Sequence, residues 1–73
     1  VSSLLILFGK RLKQLREQRG LTQEKLAEYI GIQPRQINYL EHGKKWTKPE
    51  TLEKLAHVLD VEIRELFDFR NLG

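Results

Sequence analysis

Between Pro34 and His42 the chain reads Pro-Arg-Gln-Ile-Asn-Tyr-Leu-Glu-His. On a helix, at about 100° per residue, Ile37 and Leu40 share one side, and Arg35 and Tyr39 point almost the opposite way. His42 stands beside that pair, and Gln36 and Asn38 flank it. Arginine hydrogen-bonds guanine O6 and N7, and glutamine or asparagine hydrogen-bonds adenine N6 and N7. A helix face that is merely solvated usually carries Glu and Lys, and from Pro34 to Leu40 there is neither. This face is therefore expected to read base edges of double-stranded DNA. Lys44, Lys45 and Lys48 follow directly, where a loop after a reading helix lies beside the phosphate backbone. Trp46, among them, is expected to pack on the following helix. His42 suits either a phosphate contact or a plain exposed helix end.

Other chemistries lack their parts. There is no cysteine, and the two histidines, His42 and His57, make poor metal ligands. No Gly-rich phosphate loop and no Ser/His/Asp set is present. Glu41 and His42 are neighbours, but adjacency on a helix points them about 100° apart. The expectation is no catalytic residue, no metal, no cofactor and no evident small-molecule ligand, hence no enzyme. The apolar run Leu4–Phe8 is far short of the ~20 residues a bilayer needs. It has neither the preceding basic residue nor the following small-residue site of a signal peptide. A cytoplasmic protein without membrane contact is expected. Residues 1–48 carry +6 and residues 49–73 carry −3, for a net +3. The N-terminal two thirds would face a polyanion and the acidic third would turn away.

The elements that must position these residues read as helices. Phe8, Leu12 and Leu15 are spaced i, i+4, i+7, and Leu52, Leu55, Ala56 and Leu59 repeat i, i+3, i+4, i+7. Strand-like alternation is missing. Gly20, Gly31 and Gly43 follow three of the segments, where a left-handed residue closes a helix. Thr22 suits a helix N-cap, and Thr47-Lys48-Pro49-Glu50 has capping-box spacing. Helices are expected near 7–19, 22–30, 33–42, 49–59 and 62–69, in a single all-α domain spanning 1–73. The second and third are joined by only about three residues at Gly31, with small Ala27 inside the joint, which describes a helix-turn-helix.

Phe8-Gly9-Lys10-Arg11-Leu12, Leu15-Arg16, Gly20-Leu21-Thr22-Gln23-Glu24, Leu26-Ala27, Ile30-Gly31-Ile32, Ile37, Leu40-Glu41, Gly43-Lys44, Thr51-Leu52, Leu55-Ala56, Leu59, Val61 and Glu65-Leu66-Phe67 together resemble the Cro/phage-repressor-type (XRE-like) helix-turn-helix family. The resemblance covers about residues 8–67. It implies a compact five-helix, lambda-repressor-like DNA-binding domain whose third helix enters the major groove. Gln33, Pro34, Arg35, Gln36, Asn38 and Tyr39 fall on positions that contact bases, or in some members the backbone. Gln23, with Thr22 and the N–H groups at 23–25, falls on a phosphate-contacting helix start. Lys44 and Lys45 match the family's basic loop that grips the phosphate backbone, and Arg11 on the basic first helix and His42 are expected to add phosphate contacts. Arg16 and Glu41 match a charged pair tying helix 1 to helix 3. The chain departs from the family at Gln33, where a capping Ser or Thr is common, and at Pro34, which offers only apolar contact. Tyr39 is also bulkier than usual.

Apolar residues remain beyond that domain: an N-terminal arm, 1–7, with Leu4, Leu5 and Leu7, and a tail, 68–73, with Phe69 and Leu72. With Phe67 they suit a homodimer interface, which would set two third helices ~34 Å apart on a palindromic operator. With no further domain in the chain, such a regulator would act by occupying its site. The alternative is a protein-interaction module, of antitoxin or adaptor type, working through a helical partner. RNA is disfavoured, since A-form grooves do not admit this helix and no aromatic platform exists.

Overall fold

A computed structural model describes residues 3–72. Four α-helices follow in order: α1 Ser3–Gln18, α2 Gln23–Ile30, α3 Pro34–Glu41 and α4 Pro49–Leu59. A 3-10 helix, Ile63–Phe67, closes the fold. The described residues contain no strand, and the architecture is all-α.

Two ends differ from the expected spans. α1 begins at Ser3, so Leu4–Leu7 form its first turns and not a separate arm. Ile6 lies over Gly43, where an added Cβ would fall 3.1 Å from the Ile6 Cα. The fifth element is a short 3-10 helix in place of an α-helix over 62–69. After Phe67 the backbone turns extended at Asp68, which ends any longer run. Of the arm and tail, residues 1, 2 and 73 lie outside the described residues.

Local chemistry accounts for the joints. Gly20 closes α1 at φ 68°, with Leu21 N–H donating to Arg16 O at 3.1 Å. Thr22 then caps α2, its Oγ1 accepting from Lys25 N–H at 3.0 Å. Gly31 adopts φ 79°, a conformation that is costly with a Cβ, and its N–H and that of Ile32 both donate to Ala27 O. At α4 the cap is Lys48 and not Thr47, with Pro49 in the first turn. Asp60 ends α4 in the left-handed region, which short polar side chains tolerate.

One apolar cluster serves every element: Phe8, Leu12 and Leu15 from α1, Leu26, Ala27 and Ile30 from α2, Ile37 and Leu40 from α3, Leu55, Ala56 and Leu59 from α4, and Leu66. α1 meets α3 backbone to backbone. A methyl on Gly9 would sit 2.7 Å from the Glu41 carbonyl carbon and closer still to the Leu40 and Glu41 oxygens. Trp46 packs edge-on to Phe8, with centroids 5.0 Å apart, and lies 6.3 Å from Phe67. Its ring partners are thus on α1 and the 3-10 helix, where packing on the following helix was expected. Phe67 in turn contacts Phe69. Arg11 Nε donates to Glu65 O at 2.8 Å and Gln14 Nε2 to Asn71 O at 3.3 Å, so the C-terminal segment is held against α1.

Candidate nucleic-acid interface

α3 is two-sided, as its spacing requires. Ile37, Leu40 and Glu41 are buried, while Gln33, Pro34, Arg35, Gln36 and His42 are exposed and Asn38 and Tyr39 half-buried. Beside it the loop carries Lys44, Lys45 and Lys48, all exposed. Helix and loop enclose an open cleft of about 810 Å³ lined by Arg35, Gln36, Tyr39, Lys45, Trp46 and Lys48, among others. The Lys45 ammonium stands 5.4 Å from the Tyr39 ring centroid, so a loop cation lies over a side chain of α3. The arrangement offers hydrogen-bonding groups on a projecting helix and positive charge along its flank.

A buried polar relay holds α3 from behind. Arg16 Nε donates to Glu41 Oε2 at 2.6 Å and Arg16 Nη2 to Glu41 Oε1 at 3.1 Å, while Nη1 donates to Leu21 O at 2.7 Å. The hydrogen bond to Glu41 outweighs burial and raises the Arg16 pKa above its ordinary value, so the guanidinium stays charged. Gln23 Nε2 donates to Glu41 Oε1 at 2.9 Å, and Asn38 Nδ2 lies 3.5 Å from Gln23 Oε1. The direction of this chain is forced. A carboxylate paired with arginine only accepts, so Gln23 turns its amide nitrogen inward and its oxygen toward Asn38.

The start of α3 is closed by an unexpected residue. Gln33 makes no side-chain cap. Its N–H donates instead to Gln36 Oε1 at 2.8 Å, and Gln36 N–H donates to Gln33 O at 2.9 Å. Spacing of N-cap to third residue was the available signal, obscured because Gln33 is not a Ser or Thr.

The other expected phosphate contacts divide. Thr22 is exposed at the start of α2, and Gln23, half-buried, is occupied on one side by Glu41. The Lys25 N–H is already taken by Thr22. Arg11 donates from Nε to Glu65 O and from Nη1 to Gln14 Oε1, which ties its guanidinium to the 3-10 helix and to α1. His42 Nδ1 is 2.8 Å from Asn38 O. A carbonyl only accepts, so Nδ1 is the donor in this contact. Of the expected interface residues Leu4 is exposed, and Leu5, Leu7, Phe67, Phe69 and Leu72 are half-buried. Among the described residues no cluster of His, Cys, Asp or Glu could hold a metal, and no helix is long and apolar enough to cross a membrane.

Comparison with known proteins agrees with this geometry. The profile of the Helix-turn-helix family matches residues 12–66. The chain is 47% identical over 60 residues to an uncharacterized HTH-type transcriptional regulator, RghRB, of Bacillus subtilis, covering 81% of this chain but 43% of that protein. It is 29% identical over 73 residues to the control protein C.BamHI of Bacillus amyloliquefaciens, covering 99% of this chain and 90% of the other. Among solved structures, the restriction-modification controller protein C.AhdI from Aeromonas hydrophila superposes with a TM-score of 0.83 at 41% identity, covering 86% of this chain and 96% of that one. These relatives are named as regulators and control proteins, not enzymes.

Proposed function

The chain belongs to the helix-turn-helix family, and from that premise we propose a sequence-specific transcriptional regulator that binds a palindromic operator in double-stranded DNA as a homodimer, with α3 in the major groove. The observation that carries this reading is the contrast across α3. One side is locked by the Arg16–Glu41–Gln23 relay, and the other presents Gln33, Arg35 and Gln36 to solvent, with Asn38 and Tyr39 half-buried beside them. Pro34 adds apolar surface for a thymine methyl group. Lys44, Lys45 and Lys48 supply the phosphate contacts, with Thr22 and Gln23 at the start of α2.

Selection of bound duplexes from a random pool tests the reading, followed by affinity for the selected site at two salt concentrations. A palindromic consensus is expected, with log affinity falling by about 0.9 per log unit of salt for each phosphate contact. No enriched sequence, together with a monomer in solution, would favour a protein partner instead.

A further inference from the structure

We infer that Gln36 reads the major groove as a hydrogen-bond donor only, so that the base pair it faces presents guanine or thymine to it and not adenine. The inference rests on the major-groove reading above and goes beyond it to the chemistry of one contact. The Gln33 N–H is a donor, so the Gln36 atom 2.8 Å from it must be the amide oxygen. That holds the oxygen, whatever its second lone pair could accept, against the start of the helix and leaves the amide nitrogen as the outward group. Reading adenine through both N6 and N7 needs the amide oxygen as well as the nitrogen. Guanine offers two acceptors, N7 and O6, and thymine offers O4, and both suit a lone donor; adenine N7 would also accept, but its N6 amino group would then face a donor and stay unpaired. Cytosine presents a donor of its own and is rejected.

Two features keep the oxygen at the cap. The Gln36 oxygen is the partner of the Gln33 N–H in the capping box that opens α3, and Pro34 contributes no N–H there to compete for it. In the free protein water can replace it, because both residues are exposed. Beneath a bound duplex water is displaced, and a Gln36 that turned to adenine would leave the Gln33 N–H unpaired.

The test is duplex selection with the wild type, Gln36→Ala and Gln36→Glu, with helix content followed by circular dichroism. Glutamate keeps the acceptor for the cap and replaces the outward donor by an acceptor, so Q36E retains its helix content. The expected result is a position at which the wild type prefers guanine or thymine about tenfold over adenine. That preference should flatten in Q36A and move toward cytosine in Q36E. A wild-type preference for adenine or cytosine at the position that Q36A relaxes overturns the inference, and so does an unchanged consensus in Q36A. The major-groove reading survives both of those outcomes. A wild type that enriches no sequence at all removes the reading and the inference together.

Discussion

Arg16 and Glu41 illustrate how much burial changes the meaning of an ion pair. Their side chains are 10% and 1% exposed, whereas Lys25–Glu28 and Arg64–Glu62 are pairs of open, solvated groups. Exposed pairs contribute about 0–1 kcal/mol. Glu41→Ala would leave a buried guanidinium without its carboxylate and also release Gln23. A loss of about 3–5 kcal/mol is expected, to be measured by urea unfolding with the single tryptophan, Trp46, as reporter. A loss below about 1 kcal/mol would show the pair to be as weak as its surface counterparts. Arg35 sits on the other side of the same helix and touches nothing structural. Arg35→Ala should therefore unfold as the wild type does, yet bind its selected operator about 1–3 kcal/mol more weakly and with relaxed choice at one base position. Equal affinity for operator and random duplex before and after the substitution would remove Arg35 from the reading set.

The helices themselves depend on one contact that side-chain patterns do not advertise. α1 and α3 approach until Gly9 lies on the carbonyls of Leu40 and Glu41. Gly9→Ala cannot be relieved by a rotamer change, because the obstruction is backbone. It should cost about 1–3 kcal/mol by overpacking. Since the shift falls at the end of α3, operator affinity should drop even where calorimetry shows the domain still folded. An unchanged melting temperature would mean that the helices stand further apart than described. Gly9 shows where sequence reading stops. Leu52, Leu55, Ala56 and Leu59 announce α4, because a helical stripe repeats along one face. Gly31 and Thr22 announce the joint of the helix-turn-helix, because left-handed backbone and capping oxygens have few suitable residue types. The start of α1 was hidden, because Leu4–Leu7 is apolar on every side and has no periodicity to read. The fifth element is not distinguished from an α-helix by its sequence, because Ile63, Leu66 and Phe67, at spacings of three and four, fit either helix type. On α3, residue types located the exposed polar face. The Gln36 amide follows a local spacing of three from Gln33, whereas the Gln23 amide is turned by Glu41, far along the chain, and no local pattern encodes that.

At the scale of the whole molecule, size is the argument for the proposed second copy. The fold measures 27 × 23 × 21 Å, less than the ~34 Å of one DNA turn. α3, at eight residues, is about 12 Å long and fits one groove. A single copy thus meets only a few base pairs, a sequence that recurs too often to mark one operator among ~10⁶–10⁹ competing sites. Two copies related by a two-fold axis double the site read, and a palindrome mirrors that symmetry. The apolar surface available for the contact is where α1 begins and the C-terminal segment ends. Phe67 and Phe69 are already partly covered by their own aromatic neighbours, while Leu4 remains 48% exposed. Leu4→Glu should therefore leave the monomer fold intact but shift sedimentation equilibrium from dimer toward monomer. Affinity for the full palindrome should fall by roughly a hundredfold or more, the gain expected from linking two modest half-site contacts, with affinity for an isolated half-site unchanged. A variant that sediments as a monomer and still binds the full palindrome as tightly as the wild type would separate operator recognition from dimer formation.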